Sequence, residues 1–364
     1  MDRRIIWTIR AMQITPTRKK LEELSQRDDL FDESLLNPRS YEYKKTVKSF
    51  EKAAQTGCSA VTFIDKEYPE CLRHISMPPP VLFVRGNVAI LNGIVYAGIV
   101  GCRKADVYGM QTAGNIAREV GALGAGVVSG GAEGVDKAAH EGALLVKAPT
   151  IAVLGCGLDI DYPKSNAQLF KRIAENGGAV ISEFHFGERP NKRNFPHRNR
   201  IIAAFSTAVV VTRAGKRSGA IITANQAIAM NKTVFAVPGN TDHKLSVGTN
   251  ELIRDGALVL LSPMDIIDEL ISKNPDFFVK EREPVDAVSD LKVYEEEFKS
   301  EKKNNASLSE YESEILNIIE NGFKTQNLIE EKITFDPARL SGLLGMMELK
   351  GIIRRSADKS YNIL

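Results

Sequence analysis

Between residues 94 and 237, six short runs rich in Val, Ile and Ala alternate with stretches of helical character. The predicted strands occupy residues 94–100, 125–129, 150–154, 179–183, 207–212 and 233–237. They are apolar almost throughout, as in parallel sheets that helices cover on both faces. The pattern therefore predicts an α/β fold with a Rossmann-like, doubly wound, mostly parallel sheet. Ligands bind beyond the carboxyl ends of the strands in such sheets, so the loops after the strands are the first places to search.

The regions on either side of this alternation differ from it in composition, and four domains are predicted. Residues 1–80 form an N-terminal helical domain, because their apolar positions recur near the helical period. Residues 81–273 form the Rossmann-like core. Residues 274–306 form a charged linker, since 15 of these 33 residues are charged and none is glycine. Residues 307–364 show three helical stretches followed by two short strands, which is the pattern of a winged helix.

Charge is distributed unevenly along the chain although the whole carries only +2. Residues 81–273 hold 21 Lys and Arg against 16 Asp and Glu, whereas residues 274–364 hold 13 against 18. Five cations lie within twelve residues, and Glu188 alone opposes them; they are Arg189, Lys192, Arg193, Arg198 and Arg200. This basic segment, residues 188–200, is either a solvated loop or a phosphate-binding surface. The acidic winged helix gives little support to duplex DNA binding and suits a protein contact at least as well.

Glycines follow one predicted strand in the sequence Ser-Gly-Gly-Ala-Glu-Gly at residues 129–134, where a helix is predicted to begin. Backbone N–H groups at such a helix start bind anions, so the loop is either a phosphate site or a tight turn. Asp136 and His140 lie four residues apart in the helix that follows. They form either an acid–base pair or, more commonly, a helix-start carboxylate beside a core histidine.

Several classes of protein are disfavoured by motifs that the chain lacks. It has neither G-x-G-x-x-G with a matching acidic residue nor G-x-x-x-x-G-K-[ST], so neither a dinucleotide nor a P-loop nucleotide is expected as a cofactor. The four cysteines and five histidines show no metal-ligand spacing, and we expect no metal site. No apolar run reaches the length of a membrane span, and the N-terminus does not read as a secretory signal. The expected compartment is the cytoplasm.

Phe195 lies among cations and polar residues of the basic segment, where no apolar period predicts a place in the core. A single aromatic ring among basic residues suits single-stranded nucleic acid, because the cations follow the phosphates and the ring stacks on a base. The alternative is a ring folded back under its own loop.

Taken together, these residues resemble the DprA/Smf family of bacterial DNA-processing proteins from about residue 68 to residue 257. The matching residues include Tyr68-Pro69, Gly101 and Arg103, residues 129–132, Gly134 and Asp136, His140, Gly157 and Asp159, Tyr162-Pro163, Asn166, Ser182-Glu183, Phe195-Pro196, Arg198 to Arg200, Ser218-Gly219, Thr223-Ala224, Pro238-Gly239, Gly248, Asn250 and Gly256-Ala257.

The resemblance implies a non-enzymatic, cytoplasmic homodimer that binds single-stranded DNA through the core. Such a protein protects incoming DNA and loads RecA on it during natural transformation, with single-strand-binding protein as an additional candidate partner. By similarity, Arg103, Lys192 and Phe195 line the DNA pocket, with Ser129, Gly130 and Arg198 beside them. The full predicted site also includes Gly131, Arg193, Asn199, Arg200, Ser218 and Thr223.

Two other functions remain open at this stage. Phosphoribohydrolases with a similar core use the motif G-G-x-G-T-x-x-E in a strand-to-helix loop, which corresponds to residues 217–226 here. Gln226 stands where the carboxylate of that motif would be. An amide cannot act as a general acid or base, which disfavours the nucleotide-cleaving enzyme. A nucleotide sensor would also use the glycine loop of residues 129–134, but it requires neither the basic segment nor an aromatic ring beside it.

Overall fold

The computed structural model describes residues 2–27, 29–280, 310–322, 325–333, 340, 343–344, 347, 352–355 and 361–363. The described residues from 2 to 280 form one compact unit, and those from 310 onward form a second. None of the helices in these ranges is both long enough and apolar enough to span a membrane.

A nine-stranded mixed sheet organises the first unit, in the order β1-β2-β6-β5-β4-β3-β7-β8-β9. The strands are β1 (Ser59–Thr62), β2 (Val81–Gly86), β3 (Tyr96–Val100), β4 (Gly126–Ser129), β5 (Thr150–Val153), β6 (Ala179–Ser182), β7 (Ser206–Val211), β8 (Thr233–Ala236) and β9 (Leu258–Val259). Strands β3 to β9 pair in parallel, whereas β2 is antiparallel to both β1 and β6.

Helices of the first unit connect these strands. They are α1 (Arg3–Met12), α2 (Arg18–Ser25), α3 (Tyr41–Gln55), α4 (Glu70–Arg73), α5 (Val107–Ala122), α6 (Val135–Leu145), α7 (Ala167–Glu175), α8 (Asn194–Phe205), α9 (Gly219–Ala229), α10 (Val247–Arg254), α11 (Pro263–Lys273) and α12 (Pro275–Lys280). Short 3-10 helices occupy Glu33–Leu35, Val88–Leu91 and Lys164–Asn166.

The prediction of a mostly parallel α/β sheet is confirmed, and all six predicted strands lie within two residues of their predicted bounds. Every residue of β3, β4, β5 and β6 is buried, because helices cover both faces of the sheet. The helix that was predicted to follow the glycine loop is α6, which begins at Val135. Apolar runs with glycine at their ends are local signals, and for this reason they located the strands well.

The predicted N-terminal helical domain is not confirmed. Strand β1 lies within residues 1–80 and β2 begins directly after them, and both strands extend the main sheet. Trp7 of α1 belongs to the same apolar cluster as Val84 and Ile181 of the sheet. The Trp7 Nε1–H donates to the carbonyl oxygen of Pro80 at 3.4 Å. The N-terminal helices therefore help to form the core of the first unit. Pairing of β2 with β6 joins residues about a hundred positions apart, which no local pattern predicts.

The second unit contains α13 (Glu310–Glu320), α14 (Gln326–Glu330), β10 (Ile353–Arg355) and β11 (Tyr361–Ile363). Strands β10 and β11 form an antiparallel pair. These elements agree with two of the three predicted helices and with the predicted hairpin, and the third helix falls mostly outside the described residues, so the winged helix stays a prediction. In the predicted linker, residues 275–280 form α12, and residues 281–306 lie outside the described residues.

Candidate nucleic-acid interface

The order in which consecutive strands are added to the sheet reverses at β3. From β3 it continues through β4, β5 and β6 on one side, and β7 and β8 lie on the other. Loops that leave the carboxyl ends of β3 and β7 therefore diverge and leave a crevice between them, which is where ligands bind in sheets of this type.

A pocket lies at this edge of the sheet. Its lining comes from the loops after β3, β4 and β5 and from the start of α8, and consists of Arg103, Gly130, Ala132, Glu133, Gly155, Tyr162, Pro163, Phe195 and Arg198. Four of the predicted site residues thus meet in one pocket although they are almost a hundred positions apart in the chain.

Phe195 forms the centre of an aromatic and cationic platform in this pocket. The Arg103 Cζ lies 4.8 Å from the centroid of the Phe195 ring. The Tyr162 ring packs against the Phe195 ring, with 5.6 Å between the two ring centroids and an angle of 33° between the ring planes. A Cβ on Gly155 would lie 2.8 Å from the Phe195 ring, so glycine at this position lets the ring rest on the backbone. The ring is half-buried and still reaches the pocket.

A buried cation lies beneath the glycine loop. The Arg198 side chain donates from Nη1 to the carbonyl oxygen of Gly130 at 2.7 Å and from Nε to Asn199 Oδ1 at 3.2 Å, and the residue is only 5% exposed. Burial lowers the pKa of Arg198 to about 10, which leaves the guanidinium charged at neutral pH. Burial also raises the pKa of Asp136, and the nearby charge of Arg198 opposes that rise.

The conformation of the glycine loop depends on the absence of a side chain at its glycine positions. A Cβ on Gly130 would lie 2.7 Å from Asp136 Oδ2 and 2.8 Å from Arg198 Nη2, so the backbone lies directly against both charged groups. Gly134 has a φ of +76°, a left-handed conformation that glycine adopts readily. The Asn166 Nδ2–H₂ donates to the carbonyl oxygens of Gly131 and Ala132, each at 3.0 Å. The loop is therefore held in place by neighbouring polar groups.

Asp136 and His140 do not form an acid–base pair. His140 is fully buried, and its Nδ1 lies 2.8 Å from Thr150 Oγ1, which itself donates to the carbonyl oxygen of Val127. Burial lowers the pKa of His140 to about 3, so the ring is neutral. His140 is a core histidine, as the second of the two interpretations holds.

Several predicted site residues bind other parts of the protein. Arg200 forms a bidentate ion pair with Glu183, with Nη2 2.6 Å from Oε2, and donates from Nε to the carbonyl oxygen of Met77 at 3.0 Å. The Ser129 hydroxyl donates to the carbonyl oxygen of Ile99 at 2.6 Å. Asn199 Nδ2 donates to the carbonyl oxygen of Gly219 at 3.2 Å.

The two predicted residues of α9 also have local partners. Ser218 caps this helix by accepting a bond from Ala220 N at 3.3 Å, and Thr223 is buried one turn further on. Neither residue lines the pocket.

Lys192 and Arg193 are exposed beside the pocket, in the turn that leads into α8. Within the part of the chain that the structure describes, neither side chain forms a hydrogen bond or an ion pair. Glu188 at the start of the basic segment is occupied, since its Oε2 accepts a bond from Lys45 Nζ at 2.8 Å and its Oε1 one from Asn194 Nδ2 at 3.3 Å. The exposed cations of the segment are thus available to a phosphate.

Five residues of the pocket are absent from the predicted site; they are Ala132, Glu133, Gly155, Tyr162 and Pro163. Tyr162 had a signal, because it belongs to the Tyr-Pro pair that contributed to the family resemblance, but nothing local places its ring on Phe195. Gln226, which stands in place of the phosphoribohydrolase carboxylate, donates from Nε2 to the carbonyl oxygen of Pro196 at 3.1 Å and thereby holds the start of α8. Among the described residues, no three His, Cys, Asp or Glu side chains are grouped in a way that could hold a metal ion.

Comparison with known proteins decides the family. The sequence profile of DNA recombination-mediator protein A matches residues 59–271, which is more than half of the chain. The chain belongs to this family. The resemblance to DprA/Smf proteins is therefore confirmed, and the matched range contains every residue that lines the pocket.

Individual relatives of the family support the same assignment. The protein Smf of Synechocystis sp. is 40% identical over 60% of this chain and 56% of its own length. The DNA processing protein DprA of Bacillus subtilis is 34% identical over 69% of this chain and 84% of its own length. The match to the Synechocystis protein thus covers little more than half of that relative.

Two solved structures of family members resemble the fold. The X-ray structure of DNA processing protein A from Streptococcus pneumoniae has a TM-score of 0.60 and 32% sequence identity, and the match covers 74% of this chain and 98% of that one. The corresponding protein from Helicobacter pylori, described for its single-stranded DNA binding mode, has a TM-score of 0.53 and 32% identity. That match covers 59% of this chain and 96% of the Helicobacter pylori chain.

Proposed function

We propose that this protein binds single-stranded DNA at the pocket between the glycine loop and α8. It would act in the cytoplasm as a homodimer that protects incoming strands and loads RecA on them during natural transformation. The observation that carries the proposal is the Phe195 ring, with the Arg103 guanidinium 4.8 Å from its centroid, in the lining of a pocket that Gly130 of the glycine loop also lines. Membership of the recombination-mediator family and the binding mode described for the Helicobacter pylori relative support it.

The proposed mechanism is physical and needs no covalent step. Lys192, Arg193 and Arg103 would neutralise phosphates and release their counterions, while a base stacks on Phe195. The buried charge of Arg198 and the backbone N–H groups of the glycine loop would add attraction for a phosphate in the pocket. Two such pockets in a dimer would raise the apparent affinity for a long strand, because the second contact becomes intramolecular.

The test is fluorescence anisotropy of a labelled oligothymidylate over a series of salt concentrations, with a duplex of equal length for comparison. We expect the single strand to bind more tightly. Phe195→Leu keeps an apolar side chain against Gly155 but removes the stacking surface, and its expected cost is about 1–3 kcal/mol. Lys192→Ala should make the slope of log affinity against log salt shallower by about 0.7, the value for one lost phosphate contact with a single strand.

The matched control is Lys147→Asn. Lys147 is exposed in the turn before β5, at the amino ends of the parallel strands, and its φ of +54° is one that asparagine tolerates. The control should leave both affinity and salt slope unchanged. Equal binding of single strand and duplex, with no effect of Phe195→Leu, would contradict the proposed function.

Loading of RecA is tested by the lag before RecA hydrolyses ATP on DNA coated with single-strand-binding protein. The wild-type protein should shorten that lag, and Phe195→Leu should not at protein concentrations where its DNA binding is lost. Light scattering of the free protein measures whether it is a dimer.

A further inference from the structure

A second pair of arginine and aromatic side chains lies at the same edge of the sheet, outside the pocket. The Arg213 Cζ, in the loop after β7, lies 4.5 Å from the centroid of the Tyr108 ring in the first turn of α5. The arrangement resembles that of Arg103 and Phe195, but here the arginine is the buried partner. Arg213 is 8% exposed, whereas Tyr108 is 52% exposed.

Arg213 is held rigidly beneath the ring. Its Nη1 donates to Ser246 Oγ at 2.8 Å, and its Nε donates to Asp106 Oδ1 at 3.2 Å. Its carbonyl oxygen accepts a bond from Cys102 N at 2.8 Å, which connects it to the loop after β3. Asp106 is fixed as well, because it caps α5 by accepting a bond from Gly109 N at 2.8 Å. The ring of Tyr108 thus covers a fixed cation, and the cation–π attraction holds the ring over the guanidinium.

The exposure of Tyr108 indicates that its ring does more than cover Arg213. Half of the tyrosine side chain remains exposed, and its neighbour Val107 is 65% exposed, so the first turn of α5 presents apolar surface. Arg213 already has a carboxylate and a hydroxyl as partners and does not depend on the ring for hydrogen bonds. An aromatic ring with an exposed surface and a rigid base is what a stacking platform for a nucleobase requires.

The position of Tyr108 makes it reachable from the pocket. Tyr108 lies five positions after Arg103 in the chain, so their Cα atoms lie at most about 17 Å apart. Exposed cations also lie in the loops after β3, β7 and β8, at the same edge of the sheet; they are Lys104, Arg217 and Lys244. Within the described residues, none of these three side chains forms an ion pair. The surface beside the pocket therefore suits the backbone of a strand that continues beyond it.

We propose that Tyr108 is a second base-stacking site, on which the single strand that leaves the Phe195 pocket places a further base. This inference rests on the proposed function. It implies that a short strand uses the pocket alone, while a longer strand uses both aromatic side chains.

The experiment compares oligothymidylates of about 4 and about 16 nucleotides, the two ends of the range of site sizes found for OB folds that bind single strands. Tyr108→Leu keeps an apolar cover on Arg213 and removes the ring. It should weaken binding of the long strand at least about fivefold and leave the short strand unaffected, because one stacked base is lost. Tyr108→Phe should bind both lengths as the wild type does. Phe195→Leu, measured in parallel, should weaken both lengths.

Other outcomes are equally decisive. If Tyr108→Leu binds both lengths normally, or weakens both by the same factor, Tyr108 is not a second stacking site. If Phe195→Leu has no effect at either length, the proposed function itself fails. A measurement on the wild-type protein does not depend on the folding of any variant: a long strand that carries 5-iodouracil should cross-link to Tyr108 on irradiation, and absence of that cross-link overturns the inference.

Discussion

Arg198 and Arg200 lie two positions apart in the same helix and in the same basic segment, yet they have different roles. Both side chains are buried, but Arg198 lines the pocket and donates to the glycine loop, whereas Arg200 is paired with Glu183 directly after β6. Alternate residues of a helix point about 200° apart, so adjacent cations face different surroundings. The number of positive charges in the segment therefore overstates the number that can contact DNA.

The ion pair of Glu183 with Arg200 makes a prediction for stability. Burial would raise the pKa of Glu183, but the charge of Arg200 and the hydrogen bonds from His197 and Arg200 outweigh it and hold the pKa at about 2. Glu183→Gln leaves the buried Arg200 without a charged partner, and we expect it to cost about 3–5 kcal/mol of unfolding free energy at pH 7. Urea denaturation measures this cost.

The same pair predicts a pH dependence. Because the pKa of Glu183 is lower in the folded protein than the usual value of 4.5, the unfolded state takes up a proton first as the pH falls. The contribution of the pair to stability is complete above about pH 4.5 and is lost as the pH falls toward 2. Denaturation at several pH values between 6 and 3 should show a smaller decrease for Glu183→Gln than for the wild type. Parallel curves for the two proteins would contradict this assignment.

At the scale of elements, the basic segment is fixed to the N-terminal region. Lys45 of α3 binds Glu188 at 2.8 Å, and the carbonyl oxygen of Glu188 accepts a bond from Gly157 N at 2.9 Å. The Glu188 side chain also binds Asn194, the first residue of α8. Helix α3 therefore positions the turn that carries Lys192 without contributing to the pocket itself.

Lys45→Met should weaken binding of single-stranded DNA by about 0.2–1 kcal/mol, the energy of a partly exposed ion pair. The salt dependence of binding should not change, because no phosphate contact is removed. Anisotropy titrations across a salt series measure both quantities. The matched control is Lys48→Met, an exposed lysine of the same helix for which no ion pair is seen in the described part of the chain. A shallower salt slope for Lys45→Met would mean that Lys45 contacts the DNA directly.

At the scale of the whole molecule, all residues of the pocket and of the second aromatic pair belong to the first compact unit. A chain that ends at residue 283, the boundary between the two units, should therefore bind a single strand within about 0.5 kcal/mol of the full protein, because separate sites contribute independently. Phe195→Leu should weaken both chains equally. Much weaker binding by the shortened chain would place part of the DNA site beyond residue 283.

By itself, the sequence determined the α/β class, the six central strands and the glycine loop before α6, because apolar runs, glycines and helical periods are local signals. It also brought Arg103, Gly130, Phe195 and Arg198 into one predicted site through the family resemblance. Only the tertiary structure decided that β1 and β2 extend the sheet, that the Tyr162 ring packs against Phe195 and that Arg200 pairs with Glu183. These outcomes depend on partners from distant parts of the chain, and the choice among such partners follows from packing and burial in the folded protein.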